Sequence, residues 1–319
     1  MRAVVCTPNG PALQTDRPIP RPSGLNEVRL KVRCAGICDT DLQLLRGYMG
    51  FQGVLGHEFV AEDPSGRRVT AEINHSCRQC DICHGDETLT GQIHARHCPN
   101  RSVMGILNQD GAMADFVIAD TRNVHAIPDS LDDREAVFIE PLAAALHAAN
   151  QAKALRLETC AVLGDGKLGI LCAWAFRHAG FATTLVGKHP EKLALVGPNL
   201  PSCLVAEVES KRHCFALVVD ATGSASGLPL ALQLVRPCGA IVLKTTIAAR
   251  HELDLAPLVV NEIHLIGSRC GPFPPAIAAL QSKTFDVTRL IEAEFPLDNA
   301  LEALGAAARP GARKILLRP

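Results

Sequence analysis

Between Glu27 and Cys34, charged and apolar side chains alternate without a break, Glu-Val-Arg-Leu-Lys-Val-Arg-Cys. This is the period-two signature of a half-buried β-strand. The stretch before it carries Pro8, Pro11, Pro18, Pro20 and Pro22, which divide it into turns and edge pieces, and the apolar run after Met1-Arg2 reads as a first strand. The β-rich character lasts to Glu140. Leu142 to Ala154 is then Ala/Leu-rich and helical, leading into the apolar run Cys160 to Leu163. Short apolar runs follow at 183–186, 217–220, 240–243 and 263–266, with helix-length stretches such as 168–179 and 227–234 between them. Strands alternating with helices predict βαβ units and a parallel sheet. From Gly267 the chain turns Pro-rich and mixed, as expected of a tail that rejoins the first domain. The predicted organisation is α/β: a β-rich domain over 1–141 with a lobe at 74–100, a doubly wound parallel sheet over 142–266, and a returning segment over 267–319.

Composition narrows the function classes. The 319 residues suit about two domains, and a hydrophobic content of 47% with only 4% aromatics predicts full, mostly aliphatic cores. A net charge of −1 with scattered Lys and Arg argues against nucleic acid or an anionic membrane as partner. No apolar run reaches about 18 residues, and the opening is too short for a signal sequence, so a cytoplasmic protein is expected. Of the 13 cysteines, Cys6, Cys34, Cys160, Cys172, Cys203, Cys214, Cys238 and Cys270 fall mostly in apolar runs and are expected as small buried hydrophobes.

Gly164-Asp165-Gly166-Lys167-Leu168-Gly169 follows an expected strand and opens an expected helix, the context that gives a Gly-x-Gly-x-x-Gly run its meaning as a Rossmann dinucleotide fingerprint. The glycines permit the tight turn, the approach of a pyrophosphate and close helix–sheet packing, while the helix N-terminus offers free N–H groups to phosphate. The adenosine ribose is read about 20 residues on, where a carboxylate marks NAD. Here Gly187-Lys188-His189 stands instead. Glycine clears space and the two basic residues suit a 2′-phosphate, so NADP(H) is expected over NAD(H).

Two groups have metal-ligating chemistry. Cys77-x2-Cys80-x2-Cys83-x14-Cys98 suits a closed tetrahedral zinc site that braces a surface lobe. A disulfide pair or a redox Cys-x-x-Cys is the competing reading; His84, His94 and His97 lie inside the loop and are expected to be solvated rather than to substitute as ligands. Cys38, Gly56-His57-Glu58 and Glu140-Pro141 offer the thiolate, imidazole and carboxylate of catalytic zinc sites, which keep a position open for water or substrate. Asp41 is placed to hold the far ring nitrogen of His57, and Glu58 to ligate directly or through water.

These motifs resemble the medium-chain, zinc-dependent alcohol dehydrogenases, in that family's order and across nearly the whole chain: Cys38-Asp39-Thr40-Asp41, Gly56-His57-Glu58, the four-cysteine lobe, Glu140-Pro141-Leu142-Ala143, Gly164 to Gly169 and Val219-Asp220-Ala221-Thr222-Gly223. Glu-Pro-Leu is similar to the polyol and threonine dehydrogenase branch. The resemblance implies a GroES-like catalytic domain beside the Rossmann domain. It implies catalytic zinc on Cys38, His57 and Glu140, with Glu58 exchanging or behind them, and Thr40 as the proton-relay hydroxyl. It implies cofactor contacts that include Thr222 and Arg313, an alcohol, polyol or carbonyl substrate, and a homodimer or homotetramer built on the edge near Ile263–Ser268. Tyr48, Met49, Phe51 and Ile93 are candidates for the substrate pocket. The chain departs from the family in its long Cys83–Cys98 spacing, read as an insertion over 87–97, and in Gln43, which stands where many members carry a relay histidine. Competing readings are a zinc-independent quinone or enone reductase and a nucleotide-sensing protein on the same fold.

Overall fold

The structure, a computed structural model, describes residues 1–83, 95–248 and 253–319. It comprises two compact units, Met1–Glu140 with Pro272–Pro319, and Pro141–Gly271.

The first unit is organised on the strand Glu27–Gly36, whose burial alternates as its sequence requires. It pairs antiparallel with Phe116–Asp120, Glu58–Glu62 and the C-terminal strand Lys314–Arg318. The sheet continues through Arg68–Ala71 and Val124–Ala126 on one side and Ile291–Pro296 on the other. The first strand, Ala3–Thr7, lies in a smaller sheet between Gly10–Gln14 and Gly53–Val54.

The second unit holds the parallel sheet. Among the described residues its order is Ser202–Leu204, Ala182–Gly187, Thr159–Leu163, Phe215–Asp220, Val235–Leu243 and His264–Gly267. Numbered along the chain this is 3-2-1-4-5-6, the dinucleotide-binding order. Central strands reach near-zero exposure at Ala161, Val162, Val218 and Ile241, as expected of strands covered on both faces. The helices Lys167–His178 and Gly227–Leu234 lie between strands, where the apolar periodicity places them. The α/β class, the β-rich domain and the doubly wound sheet all follow the sequence expectation.

Two details differ from it. Ser202–Leu204 is a strand too short to stand out after Pro201. Cys238 is exposed, not buried. Residues 236–238 bulge from the strand Val235–Leu243: Phe215 pairs with Val235 and Leu217 already with Ala240, and Cys238 has φ of 58°. Of the other apolar-run cysteines, Cys6, Cys34, Cys160 and Cys172 are buried, whereas Cys203, Cys214 and Cys270 are only partly so.

Ile241 packs fully buried among Ala161, Leu163, Val186, Val218 and Leu234. Ile241→Ala is expected to cost about 2–5 kcal/mol through lost burial and the cavity left behind. The measurement is urea unfolding followed by fluorescence, in which the midpoint falls while the slope is retained.

Candidate active site and metal centres

The register of the first unit's sheet assembles one cluster. Gly36 pairs with Glu58 on one side and with Leu316 on the other, so Cys38, His57 and Lys314 meet at the same end of the sheet. Cys38 caps the helix Asp39–Leu45, with its Sγ accepting from the Thr40 N–H at 3.5 Å. Asp41, fully buried, returns to accept from the Cys38 N–H at 2.8 Å and the Gly56 N–H at 3.3 Å. Its Oδ1 also faces His57 Nδ1 at 3.4 Å. That contact orients the ring and leaves Nε2 as the ligating nitrogen. The result is one ligand atom each from Cys38, His57 and Glu58, all within 4.8 Å of one another.

This group fits a metal cation. Glu58 Oε1 is buried and has no hydrogen-bond partner, an arrangement that costs free energy unless something electropositive faces it. Burial, and next the Glu58 charge, push the Cys38 thiol up. Burial opposes the His57 imidazolium, but Asp41 and Cys38 outweigh it and raise the ring well above its usual range. Both shifts describe an electron-rich pocket, and a bound divalent cation inverts that logic by holding thiolate and neutral imidazole.

Glu140 does not belong to this cluster. It sits in the first turn of the helix Ile139–Lys153, nine-tenths buried, and its carboxylate is not among the grouped ligand atoms. The carboxylate present is that of Glu58. Its other oxygen, Oε2, is paired with the ammonium of Lys314, which also reaches the Ile37 carbonyl at 3.4 Å. Lys314 and Glu58 are each 1% exposed. Burial disfavours the Lys314 charge, yet Glu58 and Cys38 more than offset it and raise its pKa. Sequence reasoning did not single out Lys314. Its neighbour Arg313, expected at the cofactor, donates its backbone N–H to Glu292 at 2.8 Å and its guanidinium to the Arg289 carbonyl at 3.0 Å. No local alternation marked Lys314, since the last strand, Lys314–Arg318, is buried at four successive positions.

The second metal group is closed. Cys77, Cys80, Cys83 and Cys98 converge, with Sγ···Sγ separations of 3.6 Å (Cys77–Cys83), 3.3 Å (Cys80–Cys83), 3.7 Å (Cys80–Cys98) and 3.4 Å (Cys77–Cys98). A tetrahedron with Zn–S bonds of about 2.3 Å has edges of about 3.8 Å, whereas a disulfide requires about 2.05 Å. The spacing fits zinc, not a disulfide pair. The Gln79 N–H and then Cys98 draw the Cys77 thiol down to about 6, while burial pushes Cys98 up to about 11. His84, His94 and most of the expected insertion lie outside the described residues.

In the second unit the glycine loop has the shape a pyrophosphate needs. Gly164 has φ of +110°, and a Cβ there would lie 2.6 Å from the Ala221 carbonyl. A Cβ on Gly169 would lie 1.9 Å from the Gly164 carbonyl, so the helix can approach only without one. Gly166 faces open space and begins the helix Lys167–His178 with no side-chain cap. The N–H groups of Lys167, Leu168 and Gly169 in that first turn suit an anion. Thr222, expected at the cofactor, gives its hydroxyl to Asp220 at 2.8 Å. The donors expected for a 2′-phosphate have an internal partner. The Lys188 and His189 N–H groups and the His189 ring all meet Asp165, while the Lys188 side chain is exposed.

Residues 24–129 match the alcohol dehydrogenase GroES-like domain. A sorbitol dehydrogenase of Halalkalibacterium halodurans is 28% identical, over 100% of this chain and 99% of that protein. A D-arabitol-phosphate dehydrogenase of Enterococcus avium is also 28% identical, over 92% and 90%. Among solved structures, a putative zinc-binding dehydrogenase of Sinorhizobium meliloti bound to NADP superposes with a TM-score of 0.85 at 25% identity, covering 100% of this chain and 99% of that one. Along its whole length the chain is similar to medium-chain zinc alcohol dehydrogenases, polyol dehydrogenases among them. It shares with them a GroES-like domain and a dinucleotide fold, and it gathers a Cys/His/Glu centre and a four-cysteine centre.

Of the expected pocket residues, Met49 and Phe51 line a cleft of about 490 Å³ with Ile106, Leu107 and Asp110. Tyr48 lies in the adjoining turn, and Ile93 falls outside the described residues.

Lys314→Met leaves the Glu58 carboxylate buried without its cation, and is expected to destabilise the zinc-loaded protein by about 3–5 kcal/mol. Combining it with Glu58→Gln should recover most of that loss. Thermal or urea unfolding of the two variants measures both. Equal destabilisation of the single and double variants would contradict the pairing.

Proposed function

We propose that the chain oxidises a polyol or related secondary alcohol reversibly, transferring hydride to NAD(P)+. The convergence of Cys38, His57 and Glu58 carries this reading, because a mixed thiolate, imidazole and carboxylate set leaves room for a substrate oxygen. The relatives' names, sorbitol and D-arabitol-phosphate dehydrogenase, support the polyol class. Zinc held there would supply polarisation of the alcohol or carbonyl oxygen and a lowered hydroxyl pKa.

The chain's own residues supply the rest. Asp41 fixes the His57 ring, and Lys314 holds the Glu58 carboxylate by its inner oxygen. Glu140, a buried carboxylate in a helix first turn, is the proposed further donor. Thr40, two residues after Cys38 in a turn pinned to the Cys38 sulfur, is the hydroxyl through which the substrate proton leaves. The glycine loop and the uncapped helix N-terminus bind the cofactor's pyrophosphate, which fixes the nicotinamide's tether. A zinc-independent reductase has no use for a buried Cys/His/Glu group and is disfavoured. The exposed Val259 and Val260, and Leu265 on the sheet-edge strand His264–Gly267, support a homo-oligomer. Among the described residues, no helix is long and apolar enough to cross a membrane.

Reduction of NAD+ or NADP+ over a panel of polyols, amino alcohols and simple secondary alcohols tests the reading. Turnover is expected with polyols and should be lost on chelation. Turnover unaffected by full zinc removal would overturn it. Thr40→Val is expected to lower kcat by about 100-fold, as for loss of a general acid–base group, with cofactor affinity unchanged in a direct binding titration.

A further inference from the structure

The variable position inside the glycine loop is Asp165, and its side chain points back onto the neighbouring strand end. Oδ2 accepts from the Lys188 N–H at 2.6 Å and the His189 N–H at 2.7 Å. His189 Nδ1 lies 3.0 Å from the same oxygen and 3.1 Å from Oδ1. The Asp165 side chain is only 9% exposed. The strand end is shaped to admit it, since a Cβ on Gly187 would lie 2.5 Å from Oδ2. Gly187 and Asp165 are therefore complementary parts of one arrangement. Burial alone would raise the Asp165 carboxyl, but the two N–H groups and His189 prevail and hold it below its usual range. The group is a carboxylate.

The location gives the arrangement its meaning. In a dinucleotide fold the adenosine ribose is read just past the second strand, by a carboxylate that accepts from the 2′-hydroxyl or by cationic groups that receive a 2′-phosphate. A phosphate monoester brings close to two negative charges and needs free donors. Here the two backbone N–H groups and the imidazole that would serve it are taken by a carboxylate of the chain itself. The Lys188 side chain, exposed to solvent, is a screened cation beside a fixed anion.

We propose that Asp165 sets cofactor choice: an internal anion occupying the 2′-phosphate seat, it directs the site to NAD(H) and excludes NADP(H). The inference rests on the dinucleotide-binding reading above and reverses the expectation drawn from Lys188 and His189. Asp165 acts on the cofactor's ribose end. Its removal should change which cofactor binds, while the metal centres keep their zinc.

The test is a fluorescence titration of the purified full-length, zinc-loaded chain with NADH and with NADPH, in the absence of substrate. The wild type is expected to bind NADH at least about tenfold more tightly, a difference of about 1.4 kcal/mol. Asp165→Ser, which frees the donors, should bind NADPH more tightly than the wild type does and shift the preference by at least about tenfold. Asp165→Asn keeps the side chain's shape without its charge and should shift in the same direction. A wild type that binds NADPH as tightly as NADH overturns the proposal. So does an unchanged preference in folded variants, judged by circular dichroism and melting. Failure of both cofactors to bind would refute the dinucleotide reading itself, and this inference with it.

Discussion

The buried ion pair between Lys314 and Glu58 is the contact on which the catalytic end of the first unit depends. Its partners are 256 residues apart, and both are withdrawn from water. A buried pair of this kind gains little over an apolar substitute but is costly to break on one side. It therefore acts as a constraint more than as a source of stability. The C-terminal strand must reach the sheet in one register, and Glu58 must present its second oxygen beside Cys38 and His57. Asp41 imposes the matching constraint on the other two ligands, since one carboxylate receives the Cys38 and Gly56 N–H groups and faces the His57 ring.

The two metal centres differ in what they leave available. Four thiolates at tetrahedral spacing close their coordination sphere and can only brace the chain around them. The mixed centre has three grouped ligand atoms, one of them a carboxylate oxygen without a hydrogen-bond partner. It sits where strand ends meet a helix N-terminus: Glu58 and Lys314 open strands, His57 immediately precedes one, and Cys38 caps the helix Asp39–Leu45. Such support is what polarising chemistry requires, because small displacements of the ligating groups cost much of the rate.

Much of this architecture was legible in the sequence. Strict alternation marked Glu27–Gly36, and apolar runs bounded by helical stretches marked five of the six parallel strands. The cysteine spacing gave the closed metal centre, and chemistry-bearing residues in family order gave Cys38, His57 and Glu58. Side-chain pairings across long separations were not legible. Lys314 looked like half of a basic dipeptide, because inward direction at a strand end depends on register with Gly36. Asp165 fell on a position that the glycine fingerprint treats as free, so local pattern gave no reason to connect it with Gly187 and His189. Cys238 looked like its apolar neighbours because a bulge is a property of pairing, not of composition.

The central claim is that one sheet end gathers an open, mixed-ligand zinc centre distinct from the four-cysteine one. A crystal structure of the zinc-loaded protein with anomalous differences recorded across the zinc edge tests it most directly. The account predicts two peaks, one enclosed by Cys77, Cys80, Cys83 and Cys98, the other bonded to Cys38 Sγ and His57 Nε2 beside the Glu58 carboxylate. Density for zinc at the four cysteines alone, with Cys38 and His57 metal-free in fully loaded protein, would contradict it.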